Sequence, residues 1–174
     1  RIIRDPAFIA QSDRGAAAAI GNFDGVHLGH QAVIDLTKSV ANGARLGILT
    51  FEPHPRDHFA PDAAPFRLMN AAAKANRLKK LGVERLYEVP FNAALAELTP
   101  REFAQTVIKD RLGLTHVVVG QDFCFGKDRA GNAQGLKDYG TDMSFGVTIA
   151  PMLATSAGNV SSTAIRKALT NGAP

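Results

Sequence analysis

The chain has 174 residues, of which 45% are hydrophobic and 21% charged, with a formal net charge of +4. These values are typical of one globular domain, and no apolar run approaches the roughly 18 residues that a membrane helix needs, which excludes a spanning segment. A single cysteine, Cys124, excludes an internal disulfide and a cysteine-rich zinc site and favours a reducing, cytoplasmic setting.

The start of the chain and the distribution of charge argue against two further classes of protein, secreted proteins and nucleic-acid-binding proteins. The first ten residues, RIIRDPAFIA, hold an aspartate and a proline within a short apolar run, so no secretory signal is expected. The basic residues are scattered, and there are two Tyr and no Trp for base stacking. We therefore expect no nucleic-acid partner, whereas a small phosphorylated ligand requires only a local basic site.

Short apolar runs alternate with segments of helical spacing along the whole chain. In chain order the prediction is a strand at 17–23, a helix from Leu28 to about Asn42, a strand at 45–51, a helix at 71–82, a strand at 84–91, a helix at 99–113, a strand at 115–120, a loop at 121–132, a helix near 133–140, a strand near 143–149 and a helix from about 162. The third helix is marked by Thr99, a proline after it, and Glu102 three residues later.

This alternation predicts an α/β fold in which a parallel sheet carries helices on both faces. In such sheets ligands bind beyond the carboxyl ends of the strands, where the strand order reverses. Four unusual segments follow predicted strands and are expected to meet at that edge: 21–30, 52–55, 120–132 and 155–163.

The first of these segments, GNFDGVHLGH at 21–30, combines a glycine-containing turn with the start of a helix. Glycine lets a ligand approach the backbone closely, and a helix N-terminus offers unpaired N–H groups to a phosphate. His27 and His30 are three residues apart and share a helix face, so both imidazoles can contact one oxyanion. Two alternatives remain: zinc ligation, with His54 as a third ligand, or a structural turn with surface histidines.

A second segment, VSSTAIRKAL at 160–169, places three hydroxyls at the start of the last predicted helix and an arginine one turn inside it. Hydroxyls can cap the helix, and a guanidinium can reach a phosphate oxygen. The alternative is a capped amphipathic helix with Ile165 and Leu169 facing inward.

Both segments have a counterpart in a known superfamily. GNFDGVHLGH resembles the G-x-F-D-x-x-H-x-G-H signature of the nucleotidylyltransferases, and VSSTAIRKAL resembles their second signature. TFEPHP (50–55) and VGQDFCFGKDRAGN (119–132) are similar to stretches of the FMN adenylyltransferase module of prokaryotic bifunctional riboflavin kinase/FAD synthetases. The resemblance covers nearly the whole chain. It implies a Rossmann-like domain that makes FAD from FMN and ATP with Mg²⁺.

The resemblance also implies a role for individual residues. Those expected to assist catalysis are His27, His30 and Arg166. Those expected to bind the nucleotide are Gly21, Asn22, Phe23, Asp24, Gly25, Gly29, Ser161, Ser162 and Thr163. Those expected to border the flavin are Pro53, His54, Pro55, Asp122, Phe125 and Arg129. A ring such as Phe125 can stack on an isoalloxazine, but core packing stays open for Phe123 and Phe125, which alternation places on the same side.

Two positions depart from the family pattern. Cys124 stands where many members have Arg, and Ala164 replaces an Arg of the second signature. Loss of two positive charges could weaken polyphosphate binding, for which Lys127 and Arg129 could compensate.

The kinase module that follows in the family is absent from the sequence. We therefore expect residues 1–174 to be a single FMN adenylyltransferase domain, either a fragment or a standalone enzyme, without its riboflavin kinase domain. Three rival functions remain: adenylyl or cytidylyl transfer to another phosphorylated acceptor, a non-catalytic flavin-nucleotide binding module, and a His-ligated metal hydrolase.

Overall fold

Six parallel strands form the central sheet of the computed structural model, which describes residues 1–4, 9–26, 28–53, 55, 69–151, 154–155 and 158–159. These strands are β1 (Ile2–Arg4), β2 (Ala17–Ile20), β3 (Leu46–Phe51), β4 (Arg85–Val89), β5 (His116–Gly120) and β8 (Gly146–Ala150). Their order across the sheet is β1-β4-β3-β2-β5-β8, and each neighbouring pair is parallel.

Helices connect most of these strands. They are α1 (Leu28–Val40), α2 (Ala71–Lys80), α3 (Ala93–Ala96), α4 (Pro100–Phe103), which continues as a π-helical segment (Ala104–Arg111), and α5 (Ala133–Met143). Two short antiparallel ribbons lie outside the sheet: β6 (Cys124–Phe125) with β7 (Gly131–Asn132), and β9 (Ala154–Thr155) with β10 (Gly158–Asn159). None of the helices in the described ranges combines the length and apolar character needed to cross a bilayer.

Alternate side chains of each strand enter one of two hydrophobic cores, one on each face of the sheet. In β5, for example, Val117 and Val119 belong to the core under α4 and α5, whereas Val118 belongs to the core under α1 and α2. Both faces of the sheet are therefore covered by helices, as the alternation of the sequence predicted.

The strand order reverses beside β2. From β2 the chain adds β3 and then β4 on one side, and later β5 and β8 on the other side. The crevice at the carboxyl ends of β2 and β5 is therefore the place where a doubly wound sheet binds its ligand. The segments that follow β2, β3 and β5 all begin at this edge.

Most predicted elements are confirmed, with differences at their ends. The strand expected near 143 begins only at Gly146, because α5 runs on to Met143 and Ser144 then takes a left-handed conformation with φ of 65°. The strand expected at 17–23 ends at Ile20. β1, α3 and the β6–β7 ribbon were not predicted, and the helix expected from about 162 lies outside the described residues.

Candidate active site

The turn after β2 contains three residues with positive φ: Phe23 at 53°, Gly25 at 82° and Val26 at 39°. Phe23 and Val26 are nevertheless buried, with 2% and 3% of their surface exposed, and pack in the core under α1 and α2. A buried Phe in the left-handed region is rare and is held there only by its surroundings. A Cβ added at Gly21 would lie 3.2 Å from Cε2 of Phe23, a tight contact that the ring would have to relieve by a small shift.

His30 lies in the first turn of α1, next to this turn. Its ring packs on that of Phe23 with centroids 4.9 Å apart and planes inclined by 48°, and its Nδ1 atom is buried. Gly29 is half-buried, and Leu28 is 58% exposed. The structure therefore fixes one of the two predicted histidines at the carboxyl edge of the sheet, whereas His27 lies outside the described residues.

Asp24 is buried, with 3% of its surface exposed, and its Oδ1 atom accepts a hydrogen bond of 3.1 Å from the backbone N–H of Met69. Met69 immediately precedes Asn70, the N-cap of α2. The carboxylate thus ties the turn after β2 to the start of α2. Asp24, which the sequence associated with the nucleotide, therefore anchors one part of the protein to another.

A buried cluster joins the same turn to the end of β3. Lys74 on α2 is 2% exposed, and its ammonium donates to the carbonyl of Asn22 (3.2 Å), the hydroxyl of Thr50 (3.2 Å) and the carboxylate of Glu52 (2.8 Å). The Thr50 hydroxyl also donates to the Asn22 carbonyl, at 3.2 Å. We call Asn22, Thr50, Glu52 and Lys74 the Lys74 cluster.

Three members of the Lys74 cluster, Thr50, Glu52 and Lys74, were not among the predicted site residues. One signal was available: helical spacing places Lys74 on the same side of α2 as Leu78, and these two are the buried residues of that helix. A lysine on the apolar side of a helix is rarely buried without a partner. The identity of the partners could not be read from the sequence, because they come from two other elements.

The flavin-bordering residues predicted after β3 are only partly described. Pro53 is exposed and Pro55 half-buried, whereas His54 lies outside the described residues. Pro53 directly follows Glu52 of the Lys74 cluster. The backbone N–H of Glu52 donates to the carbonyl of Val89 at 3.1 Å, which anchors this end of β3 to β4.

An aromatic row connects the end of β3 to the segment after β5. Ring centroids lie 6.3 Å apart for Phe51 and Phe103, 5.6 Å for Phe103 and Phe125, and 5.4 Å for Phe125 and Phe123, the last pair with planes at 13°. Phe125 is 6% exposed and belongs to the core, whereas Phe123 is half-buried at its margin. Burial of Phe125 favours the core-packing alternative for that ring.

Most other residues of the segment after β5 are exposed, including Asp122 and Arg129. Asp128 and Arg129 both have positive φ, 57° and 55°. Lys127 lies 2.9 Å from the Glu97 carboxylate, which raises the pKa of its ammonium, and its backbone N–H donates to the carbonyl of Leu98. Lys127 is therefore engaged by Glu97 and is less available for a polyphosphate than the sequence suggested.

Six predicted site residues lie outside the described part of the chain: His27, His54 and the second-signature residues Ser161, Ser162, Thr163 and Arg166. The residues that the structure does bring together are the turn at 21–26, His30, the end of β3 and the start of the segment after β5. Within the described ranges, no group of three or more His, Cys, Asp and Glu side chains could hold a metal ion.

The model of the FAD synthetase family matches residues 9–164 of this chain. The chain belongs to the FAD synthetase family. This family member is 38% identical over 171 residues to a bifunctional riboflavin kinase/FMN adenylyltransferase of Pseudomonas fluorescens, an alignment that covers 97% of this chain and 55% of the relative. A bifunctional riboflavin kinase/FMN adenylyltransferase of Bacillus subtilis is also 38% identical, over 167 residues, with 94% and 52% covered.

Solved structures agree with this assignment at the level of the fold. A crystal structure described as a macrolide-efflux protein from Streptococcus pneumoniae has a TM-score of 0.84 and 31% identity. The match covers 98% of this chain and 57% of the solved one. A crystal structure of pantothenate synthetase from Thermus thermophilus has a TM-score of 0.60 and 11% identity. The match covers 95% of this chain and 67% of the pantothenate synthetase chain. The chain spans about half the length of the curated relatives it matches.

Proposed function

We propose that this chain transfers the adenylyl group of ATP to FMN, giving FAD and pyrophosphate. The observation that carries the proposal is the position of the GNFDGVHLGH turn: it leaves the carboxyl end of β2, beside the reversal in strand order, and brings His30 to the same edge. Membership of the FAD synthetase family and the names of the relatives support the choice of ATP and FMN as substrates.

The reaction needs no protein nucleophile. A phosphate oxygen of FMN attacks the α-phosphorus of ATP in line, and the bond from that phosphorus to the oxygen bridging to the β-phosphate breaks. Pyrophosphate leaves with the electron pair. The FMN phosphate is already largely ionised at neutral pH, so a general base is not required. The chain contributes by aligning the reactants and by stabilising charge on the α-phosphoryl oxygens and the leaving group.

His30 is the described residue best placed for that second task. Because its Nδ1 atom is buried against Phe23, the contact to an α-phosphoryl oxygen would come from Nε2. We propose that His27 contributes a second donor from the same helix face. The start of α1 adds a positive dipole end.

The second signature is proposed to hold the leaving group. Arg166 would bind the β- and γ-phosphates through its guanidinium, and the hydroxyls of Ser161, Ser162 and Thr163 would contact phosphate oxygens. ATP is written here as its Mg²⁺ complex. The described residues offer no ligand cluster for the ion, so we assign its coordination to the phosphates and derive no step from it.

The flavin is proposed to lie along the segments that follow β3 and β5, between Pro53 and Pro55 on one side and Asp122 and Arg129 on the other. Phe123, which is half-buried, is the ring of the aromatic row that could stack on the isoalloxazine. Phe125 would then not contact the flavin, and its buried ring would hold Phe123 in place through the stacking contact between them.

The relatives are named as bifunctional enzymes, and the matched region is about half of their length. We propose that residues 1–174 correspond to the adenylyltransferase part and that a riboflavin kinase domain is the partner that supplies FMN. The activity of these residues alone is the point to be tested.

The test is incubation of the purified chain with FMN, ATP and Mg²⁺, followed by chromatographic detection of FAD and an assay for pyrophosphate. We expect both products in equal amounts, and neither when FMN is omitted. Binding of FMN without release of pyrophosphate would identify a non-catalytic flavin module. Pyrophosphate release with nicotinamide mononucleotide or pantetheine phosphate, but not with FMN, would identify a transferase for another acceptor.

A further inference from the structure

We infer that Lys74 is a positioning residue: its buried ammonium holds the turn after β2 in register with the end of β3, so that both site segments face one substrate. The inference rests on the proposed function, because the reaction that benefits is the proposed adenylyl transfer. Lys74 itself is 2% exposed and so lies beneath the surface that the substrates would contact.

The backbone ladder between β2 and β3 stops next to the Lys74 cluster. The last backbone hydrogen bond between the two segments runs from the N–H of Gly21 to the carbonyl of Leu49, at 3.1 Å. Beyond it, the contacts that described residues make to the Asn22 carbonyl come from the side chains of Thr50 and Lys74. The Lys74 cluster therefore extends the connection past the point where the strands separate.

The Lys74 ammonium has an acceptor for each of its three N–H donors. An ammonium has three N–H donors, and three acceptors lie within 3.2 Å of Nζ. One acceptor belongs to the turn after β2 and two belong to the end of β3. The cation thus has one geometry in which it is satisfied, and this geometry fixes the distance between the two segments.

The stability of the fold alone does not require a buried ion pair at this position. Replacing a buried ion pair with uncharged residues of similar volume is often neutral or stabilising. The pair between Lys74 and Glu52, at 2.8 Å, adjoins two candidate site segments: Asn22 lies in the GNFDGVHLGH turn, and Glu52 directly precedes Pro53. A role in local geometry accounts for a charged cluster at this location.

The test compares the wild type with the double variant Glu52→Gln/Lys74→Met, which removes both charges together and leaves no buried ion without a partner. Lys79→Met is the matched control, because Lys79 lies on the same helix and is exposed. Three quantities are measured for each protein: the melting temperature, amide hydrogen exchange, and FAD formation from FMN and MgATP.

In the double variant we expect exchange of the Gly21, Val26 and Glu52 amides to be about tenfold faster, because these amides are hydrogen-bonded next to the cluster. Exchange in β5 and the melting temperature should match the control. We expect kcat to fall at least about tenfold and KM for FMN and ATP to stay within about threefold, because misalignment affects the reacting geometry more than binding.

Unchanged exchange in the turn would overturn the inference, and so would faster exchange with kcat equal to that of Lys79→Met. A lower melting temperature with faster exchange throughout the sheet would assign the cluster to global stability and overturn it as well. If the wild type makes no FAD, the proposed function fails by itself, and exchange at Gly21 and Glu52 still decides whether Lys74 holds the turn.

Discussion

His30 shows how a single side chain in this fold is oriented for chemistry. Its ring is packed on Phe23, which is itself held in a left-handed conformation inside the core. A ring fixed in this way loses little freedom when a phosphate binds, which is the requirement for a preorganised donor. Phe23 thus holds the His30 ring in place, whereas the sequence associated Phe23 only with the nucleotide.

Replacement of His30 by Ala is expected to lower kcat for FAD formation by about 10²-fold or more, the scale of losing one donor to a developing oxyanion. The measurement is the initial rate at saturating FMN and ATP. His116→Gln serves as the control, because His116 begins β5 at the opposite end of the strand. Near-native turnover of His30→Ala would remove this residue from the mechanism.

Phe123 and Phe125 are stacked, yet they are expected to respond differently to truncation. Phe125→Ala should cost about 3–5 kcal/mol of unfolding free energy, because it empties a buried position. Phe123→Ala should cost less than about 2 kcal/mol but weaken FMN binding, because this ring is half-buried beside the proposed flavin site. Urea unfolding and flavin fluorescence quenching measure the two effects. Equal losses of stability would contradict the division of roles.

At the level of elements, local signals predicted the helix starts well. Thr99 accepts a hydrogen bond from the N–H of Glu102 at 3.2 Å, with Pro100 in the first turn, as the sequence indicated. The same helix ends at Arg111, close to the predicted residue 113, but its π-helical geometry was not predicted. Its π-helical segment is closed by Arg14, whose Nη1 donates to the carbonyls of Asp110 and Arg111, and this contact spans 97 residues of sequence.

β1 was missed for a related reason. A strand of three residues is too short to show the alternation of apolar and polar residues that identifies a strand. It forms through its pairing with β4, in which Ile3 lies opposite Tyr87. The Lys74 cluster is the corresponding case in the site: spacing identified the buried side of α2, but only the tertiary fold brings Asn22, Thr50 and Glu52 to the ammonium.

His116 on β5 contacts Thr148 on β8, and burial of its ring predicts that the stability of the fold depends on pH. Its Nε2 atom lies 2.6 Å from the hydroxyl of Thr148, and burial lowers the pKa of the ring below 6.5. The unfolded chain therefore binds a proton more readily than the folded one. The stability contributed by the neutral ring is complete above about pH 6.5 and is lost as the pH falls through the folded pKa.

We therefore expect the wild type to lose more unfolding free energy than His116→Gln between pH 7.5 and pH 5.5. The difference should be below about 1 kcal/mol, because the ring is partly exposed and solvent screens the effect. Urea unfolding of both proteins at the two pH values measures it. An equal loss in the two proteins would exclude His116 as the origin.

For the whole molecule, alternation of apolar runs and helical segments was sufficient to predict a parallel sheet covered on both faces. The position of the site followed from the same topology, since the segments after β2, β3 and β5 meet at one edge. The roles of individual residues within the turn could not be predicted from the topology. Asp24 and Asn22 bind parts of the protein itself: Asp24 attaches the turn to the start of α2, and Asn22 attaches it to Lys74 on α2.

The assignment of the whole chain to adenylyl transfer predicts which flavin it can use. Riboflavin lacks the phosphate that attacks the α-phosphorus of ATP, so these 174 residues should give no FAD from riboflavin and MgATP, and no FMN either. FMN added later to the same reaction should restore FAD formation, which checks that enzyme and ATP are still active. Chromatography distinguishes the three flavins. FMN formed from riboflavin would mean that the chain has kinase activity, and the division of functions proposed from its relatives would then be wrong.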